Sequence, residues 1–462
     1  MLSVDAALQH VLAQCRPLAP TACAAADALG LVLAEDVTSD VDSPPHDKSL
    51  VDGYALIASD LAGGSAELHI LEEVTAGRVP SRTVTRGSAT RVMTGAPIPN
   101  GADAVVMIEC SELLGGPGMG RVRLIMEHVA SGDNIMRRAA SMSRGQTVLR
   151  AGSRLRAIEL GVLAEVGRAE IRVVERPTVA VLATGNELVR SIEQPAVGQI
   201  RNSNGPLLVS AAQAAGAAAV DLGIARDDVR ALRERISRGL ESDILVISGG
   251  VSAGVLDLVP GVLAELGVEQ VFHKVNLKPG KPLWFGIVEK AASQNPPSPS
   301  MGEGRGEGEG SASNLSTESA VPLTRLAPLA TLSHEGRGEC APAGLGPPCS
   351  SLVFGLPGNP VSSFVCFELF VRPAIARLAG RRDGGLERTI GELTIDFANR
   401  SERPTYHPAR LCTAEGKTFI EPLTWQGSGD LRTLVDANAL AILEPGPRQY
   451  AAGQEVKVLL LS

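Results

Sequence analysis

The sequence lacks the features that mark several large classes of protein. Only 3% of its 462 residues are aromatic, and it contains no run of about 18 apolar residues of the kind that spans a membrane. Its first residues carry Asp5 and no basic cluster, so we expect no secretory signal. A net charge of −8 argues against general binding to nucleic-acid phosphates or to an anionic membrane surface.

Familiar metal-binding and covalent-catalysis motifs are absent as well. The seven cysteines include no CxxC pair and no spacing typical of a metal site, which favours a reduced, cytoplasmic protein. Without an HExxH motif, a nucleophile elbow or a Ser/His/Asp order, covalent hydrolase chemistry has no support. The chain is nevertheless 44% hydrophobic, enough to bury several cores, and its length predicts a multidomain protein.

A segment of low complexity interrupts the second half of the chain. Residues 291–350 hold 9 of the 50 glycines and 8 of the 30 prolines, and contribute −3 of the −8 charge. Because such a segment cannot bury enough apolar area to offset its chain entropy, we expect it to be flexible. The flanking stretches 282–288 and 351–359 predict short apolar strands. We therefore predict a tolerated insertion at a strand-to-strand connection, in preference to a regulatory element.

The remaining residues divide into four predicted domains. These are a helical N-terminal domain, a β-rich domain, an α/β domain and a small C-terminal β domain, which cover residues 1–45 with 141–175, 46–140, 176–385 and 386–462. The helical prediction rests on apolar runs at Val4–Cys15, Ala22–Leu29 and Ile158–Glu165. From residue 177 onward, apolar strands alternate with helices, which predicts a doubly wound, mainly parallel sheet.

Glycine turns with polar side chains follow three strands of the α/β region. They are Thr184-Gly185-Asn186-Glu187, then Ser248-Gly249-Gly250-Val251-Ser252 with Asp257 after it, and Pro357-Gly358-Asn359-Pro360 with Ser362 after it. Open α/β sheets bind ligands beyond the carboxyl ends of their strands. Glycine allows close approach of the backbone, and helix N-termini offer N–H groups to anions. Three such turns together predict a ligand that carries phosphate groups.

Further turns add basic and acidic groups. The sequence Lys278-Pro279-Gly280-Lys281-Pro282 carries two ammonium groups, which in an acidic chain favours binding of a phosphate or another oxyanion over ordinary solvated surface. In the β-rich region, polar groups cluster at two turns, Asp52-Gly53-Tyr54 and Met93-Thr94-Gly95. A lone turn of this kind is normally structural.

Six motifs in order resemble those of the molybdopterin molybdenumtransferase family, represented by MoeA and the E domain of gephyrin. They are PPHDKSLVDGYA, RVMTGAPIPNGADAVV, VAVLATGNEL, SGGVSAGVLD, KPGKP and LPGNPVSS, and the likeness runs from about residue 3 to the C-terminus without the insertion. The resemblance implies insertion of molybdate into adenylylated molybdopterin, with Mg²⁺ and release of AMP. It also implies an elongated four-domain homodimer whose active site lies between one subunit's α/β domain and the partner's β-rich domain.

The resemblance assigns roles to individual positions. It implies catalytic roles for Asp52, Thr94, Glu187, Asp227 and Asp257. The last three would also hold Mg²⁺, a cation that prefers hard oxygen ligands. It implies substrate-binding roles for Thr184, Gly185, Ser248, Gly249, Gly250, Ser252, Lys278, Lys281, Pro357, Gly358, Asn359, Pro360 and Ser362. At one position the chain departs from the family, because Ser141 stands where the resemblance implies an Asp.

Alternatives remain open at this stage. The chain could insert tungstate, or it could be a non-enzymatic molybdopterin-binding scaffold. A generic nucleotide-binding α/β protein would leave the DGYA and MTGA motifs of the β-rich region unexplained. The resemblance further implies a cytoplasmic protein whose partners are the molybdopterin adenylyltransferase and the molybdoenzymes that receive the product.

Overall fold

The computed structural model of the chain describes residues 1–114, 120–251, 258–289, 350–381 and 384–461. Apart from Ser350, the predicted insertion lies outside the described residues, as do Ser252 and Asp257. Within the described ranges, no helix has the length and apolarity needed to cross a membrane.

The secondary structure is dominated by short strands. Helices α1 to α8 span, in chain order, Val4–Gln14, Ala157–Glu165, Asn204–Ala214, Val229–Gly239, Val259–Glu265, Pro360–Cys366, Arg372–Leu378 and Leu431–Asp436. Three 3₁₀-helices lie at Ala25–Asp27, Ala58–Leu61 and Ile108–Cys110, and a π-helix at Phe367–Val371 joins α6 to α7. Strands β1 to β14 span Pro20–Ala24, Val32–Leu33, Val37–Thr38, Lys48–Ser49, Gly53–Leu56, Ser65–Val74, Ser88–Val92, Ala104–Met107, Ser111–Leu114, Arg121–Ile125, Ile135–Met136, Thr147–Leu149, Glu170–Val174 and Thr178–Thr184. Strands β15 to β28 span Leu188–Val189, Ile200–Arg201, Ala218–Ala225, Ile244–Ser248, Glu269–His273, Trp284–Glu289, Ser350–Leu356, Arg388–Leu393, Phe397–Asn399, Thr405–Ala414, Lys417–Pro422, Ala439–Leu443, Arg448–Tyr450 and Glu455–Leu460.

The helix prediction for Ala22–Leu29 is wrong. The first part of that run belongs to β1, which pairs antiparallel with β13 from Pro20↔Val174 to Ala24↔Glu170, and a single 3₁₀ turn follows. Alanine favours a helix by well under 1 kcal/mol per residue over most others. Pairing with a strand some 150 residues away overrides that preference. The helices predicted at Val4–Cys15 and Ile158–Glu165 are confirmed as α1 and α2.

The β-rich region forms a six-stranded sheet in the order β8-β5-β7-β6-β10-β9. Gly53 begins the interior strand β5, where it pairs with Val92 on one side and Met107 on the other. A Cβ atom at this position would overlap the carbonyl oxygen of Val106. The glycine of the DGYA motif is therefore required by close packing of backbone against backbone.

We expect Gly53→Ala to destabilise the β-rich region by about 3 kcal/mol, because neighbouring strands cannot move apart without losing ladder hydrogen bonds. Thermal unfolding followed by circular dichroism would measure the loss. Gly63→Ala is the matched control, since a Cβ there meets nothing within 4 Å. Equal melting temperatures for the two variants would contradict the prediction.

The central sheet runs in the order β17-β14-β18-β21-β20-β19. Its first four strands are parallel and its last two pairings are antiparallel, so the mainly parallel prediction is confirmed. Alternate residues of β14 enter opposite cores. Val179 and Val181 pack with α1, α3, α6 and α7, while Ala180 and Leu182 pack with α4 and α5. Helices thus cover both faces, as in a doubly wound fold.

The insertion point lies at the edge of this sheet. Strands β20 and β21 flank it and pair antiparallel, from Trp284↔Gly355 to Glu289↔Ser350. The prediction of a strand-to-strand connection is therefore confirmed. Strand pairing holds the two ends of the interruption side by side.

The C-terminal region is a closed barrel in the order β22-β25-β24-β26-β28. It is tied to the central region at the lysine-bearing turn. The N–H of Lys278 donates to the carbonyl of Pro404 (2.9 Å), and the N–H of Tyr406 donates to the carbonyl of Lys278 (2.8 Å). The barrel therefore fixes the position of Lys278 relative to the sheet.

Candidate active site

An acidic cleft opens at the carboxyl edge of the central sheet. Strands β14, β18 and β21 are adjacent and parallel, so the three glycine turns that follow them meet at one place. The cleft has a volume of about 650 Å³ and is lined by Thr184, Gly185, Glu187, Leu188, Ile200, Arg201, Asn202, Ser203, Asn204, Asp227, Ser248, Gly249, Gly250, Gly358, Asn359, Pro360 and Gly429. Ten of the residues implicated by sequence as substrate-binding or acidic thus share one cavity with neighbours that the sequence motifs did not single out.

Two carboxylates enter the acidic cleft from neighbouring loops. The Glu187 carboxylate folds back over Gly185, where a Cβ would lie 2.5 Å from Oε2, and Gly185 has φ +149°. Asn186 joins the two loops, because its carbonyl accepts from Arg226 Nη1 (2.6 Å) and its Oδ1 accepts from the N–H of Asp227 (3.2 Å). The TGNE turn therefore holds Glu187 and Asp227 on one side of the cleft.

Asn204 is a cleft residue that none of the sequence motifs singled out. Its side-chain NH₂ group donates to Ser248 Oγ and to the carbonyl of Gly358, both at 2.6 Å. It therefore links the turns that follow β18 and β21. Its partners lie 44 and 154 residues further along the chain, so no local sequence signal could have revealed the contacts.

A basic pocket of about 510 Å³ lies beside the acidic cleft. It is lined by Lys278, Pro279, Gly280, Lys281, Pro282, Pro357, Asn359, Ser362, Arg403, Trp425, Gln426, Gly427 and Ser428. No acidic residue is among them. Across the described part of the chain, neither lysine forms an ion pair, and Arg403 donates to the carbonyl of Leu277 (2.8 Å). Three cationic groups therefore face a pocket without a counter-ion from its own walls.

A narrow wall separates the acidic cleft from the basic pocket. Asn359 lines both cavities, and its Nδ2 donates to Ser428 Oγ (2.9 Å). The N–H of Val361 donates to the carbonyl of Ser428 (3.0 Å), and the hydroxyl of Ser363 donates to the carbonyl of Pro357. These bonds clamp the LPGNP loop against the barrel loop 426–429.

The helix ends beside the two cavities offer fewer N–H groups than the sequence suggested. At the start of α3, the N–H of Gly205 is bonded to Asn202 Oδ1 (2.9 Å), and Pro206 has none. At the start of α6, Pro360 has none and Val361 is bonded to Ser428. Anionic charge would therefore be met mainly by the lysine and arginine side chains of the basic pocket.

Asp52 and Thr94 lie together in the β-rich region, and neither lines the acidic cleft or the basic pocket of the same chain. One Asp52 oxygen accepts from the Thr94 N–H (2.6 Å) and hydroxyl (2.7 Å). The backbone bond, followed by the hydroxyl bond, holds the pKa of Asp52 below its usual range. Both side chains are exposed, so the ionised Asp52 carboxylate and the Thr94 hydroxyl bonded to it are free to face another molecule.

Ser141, where the chain departs from the family pattern, is exposed. Its N–H donates to the carbonyl of Ser43 (2.9 Å). The hydroxyl of Ser43 in turn donates to Glu165 Oε1 (2.6 Å). Glu165 therefore brings a carboxylate near this position, although from a different segment.

The donor set of the acidic cleft suits a hard divalent cation. Among the described residues, no group of three or more His, Cys, Asp or Glu side chains is placed to hold a metal. The cleft does combine the carboxylates of Glu187 and Asp227 with the neutral oxygens of Thr184 and Ser248. Mg²⁺ is commonly bound by one or two carboxylates plus substrate phosphates and water, so these residues fit it. Asp257, the third predicted ligand, lies outside the described residues.

Family models match most of the chain in three consecutive blocks. A model described as "MoeA N-terminal region (domain I and II)" matches residues 2–167. A "probable molybdopterin binding domain" matches residues 180–377, and "MoeA C-terminal region (domain IV)" matches residues 391–461. The acidic cleft and the lysine turn both fall mainly within the second block.

Individual relatives agree with the family models. A molybdopterin molybdenumtransferase of Bacillus subtilis is 30% identical over 440 residues, which cover 94% of this chain and 88% of that protein. One from Staphylococcus aureus is 28% identical over 467 residues, covering 99% and 95%. Among solved structures, a molybdopterin biosynthesis MoeA protein of Pyrococcus horikoshii is similar over the whole of both chains, with 25% identity and a TM-score of 0.73.

Proposed function

The chain belongs to the MoeA family of molybdopterin molybdenumtransferases, and we propose that it inserts molybdate into adenylylated molybdopterin with release of AMP. The observation that carries this proposal is the contact between an acidic cleft and a basic pocket across Asn359. A reaction that brings an adenylylated organic substrate together with a free oxyanion needs two such sites side by side.

Molybdate is the substrate that suits the basic pocket. It is a small dianion, and Lys278, Lys281 and Arg403 supply positive charge that no residue of the pocket walls neutralises. Charge-assisted hydrogen bonds to an oxyanion are about twice as strong as neutral ones. The clamped LPGNP loop keeps the pocket in shape, so little reorganisation is needed when the anion enters.

The acidic cleft suits the adenylylated substrate together with a cation. Glu187 and Asp227 would hold Mg²⁺, with Asp257 implied by the resemblance as a third ligand. When bound, the cation would neutralise charge on the phosphates and polarise the phosphoanhydride bond to AMP. The two carboxylates would hold that cation, and the backbone turns at Gly185 and Gly249 let the phosphates approach closely.

We further propose that the active site is completed by a second copy of the chain. Asp52 and Thr94 match catalytic positions of the family, yet they lie outside both cavities of their own chain. A homodimer that places the partner's β-rich region over the cleft would supply them. The proposed setting is the cytoplasm, where an adenylyltransferase provides the substrate and molybdoenzymes receive the product.

The direct test is to incubate the purified protein with adenylylated molybdopterin, Mg²⁺ and molybdate, and to measure AMP. Release that depends on molybdate and Mg²⁺ supports the proposal. Release with tungstate but not molybdate would select the tungsten alternative. Binding without any turnover would select the scaffold alternative.

The basic pocket can be probed by fluorescence, because the chain has only two tryptophans. Trp425 lines this pocket and packs edge-on against His407 with ring centroids 5.5 Å apart, whereas Trp284 is buried in the sheet and bonded to Gln270. We expect molybdate to change the emission of Trp425, and Lys278→Ala to weaken molybdate binding by about tenfold or more.

Two variants make that measurement specific. Trp425→Phe should abolish the fluorescence response, and Trp284→Phe should retain it. A response that persists in Trp425→Phe would place the anion elsewhere. Unchanged affinity in Lys278→Ala would remove the lysine turn from the oxyanion site.

A further inference from the structure

Asn204, one of the residues that line the acidic cleft, has an unpaired hydrogen-bond acceptor. The residue is only 8% exposed, and its Oδ1 is buried without any partner among the described residues. Leaving a buried polar atom unpaired costs about 1–3 kcal/mol. Such an atom in a ligand cavity points to a bound group that completes its hydrogen bonding.

The contacts of Asn204 fix which end of the amide is unpaired. The carbonyl of Gly358 can only accept, so the group 2.6 Å from it must be the NH₂. Its second hydrogen points to Ser248 Oγ, also at 2.6 Å. Both donors are therefore used within the protein, and the carbonyl oxygen alone is left for a ligand.

The chemistry of that oxygen restricts the ligand group that can face it. Ionised phosphate and molybdate oxygens are themselves acceptors and would be repelled by a carbonyl oxygen. An N–H or O–H group is complementary. The adenylylated substrate carries such donors on its pterin, its ribose and its adenine amino group, away from the charged phosphates.

We propose that Asn204 positions the organic part of the substrate, with Oδ1 accepting a hydrogen bond from an N–H or O–H of the pterin or of the adenosine. This inference rests on the proposed function and deepens it. Through its NH₂ group, Asn204 is also bonded to the turns at Ser248 and Gly358. The residue that accepts the hydrogen bond from the substrate is therefore held in place by both turns.

The test compares the wild type with Asn204→Leu, which keeps the branched shape of the side chain and removes the amide. Molybdopterin alone and AMP alone serve as separate probes, measured by equilibrium binding. We expect affinity for one of them to fall about three- to tenfold, as for loss of one neutral hydrogen bond. Molybdate affinity, followed through Trp425, should change by less than about twofold. The probe that is weakened identifies whether the pterin or the adenosine carries the donor.

Controls separate this role from a general loss of structure. Asn399→Leu also replaces a buried asparagine, but in the barrel, where both ends of the amide are bonded, to Glu444 and Ser401. It should lower the melting temperature and leave binding unchanged. If Asn204→Leu does not fold, Asn204→Ser carries the same test, because serine is well accepted at helix starts.

The outcomes are distinguishable from failure of the proposed function. Unchanged affinity for both probes, or an equal loss of molybdate affinity, would overturn the role of Asn204 while AMP release by the wild type could still be normal. Absence of AMP release with a retained Asn204 effect would instead overturn the proposed function alone. Failure of the wild type to bind either probe would overturn both.

Discussion

Replacing Asp227 with Asn, or Glu187 with Gln, is expected to lower the rate of Mg²⁺-dependent AMP release by about 100-fold or more, since a metal that offsets phosphate charge is worth several kcal/mol. Asp227 and Glu187 both line the acidic cleft, and each substitution preserves the size of the side chain. The Mg²⁺ concentration needed for half-maximal rate should rise in both variants. Initial rates of AMP release at increasing Mg²⁺ would measure both effects.

The neighbouring residue provides a matched control. Asp228 caps α4, where its side chain accepts from the N–H of Ala231 (2.9 Å), and it does not line the cleft. Asp228→Asn preserves a good helix cap and should leave turnover close to wild type. Near-normal turnover in both Asp227→Asn and Glu187→Gln would remove the carboxylates from the reaction.

Mixing two inactive variants is expected to restore activity if the site is shared between subunits. Asp52→Asn should inactivate the part of the site that the β-rich region supplies, and Asp227→Asn should inactivate the acidic cleft. A mixed dimer keeps one intact site, so random exchange of subunits should recover about a quarter of the wild-type rate. The measurement is AMP release after the two purified variants are unfolded and refolded together.

The control for that experiment is a chain that carries both substitutions, refolded with either single variant. None of its mixed dimers contains an intact site, so no recovery is expected. Should the two single variants form mixed dimers, detected by differently sized tags, and still show no recovery, each site would have to be built from one chain.

Sequence predicted those parts of the site that depend on local pattern. The glycine turns after β14, β18 and β21 could be placed together because parallel neighbours end at the same edge, and the structure brings Thr184, Ser248 and Gly358 into one cleft. The basic turn at Lys278 could be recognised from its own residues.

Other parts depend on contacts between distant segments. Arg403 and Trp425 reach the basic pocket from the barrel, whose docking no local motif encodes. The helix predicted at Ala22–Leu29 is wrong for the same reason, because pairing with β13 decides the conformation of this segment. Positions set by long-range packing leave little signal in a single sequence.

The pairing of Glu289 with Ser350 has a practical consequence for protein engineering. Glu289 and Ser350 form the last pair between β20 and β21. Facing Cα atoms of antiparallel strands lie only about 5 Å apart. Any segment that replaces the residues between Glu289 and Ser350 therefore needs only to have its two ends close together. A two-residue Asn-Gly hairpin could shorten the chain at this position, or a reporter domain with adjacent termini could be grafted in. The acidic cleft lies at the opposite end of β21 and would keep its geometry.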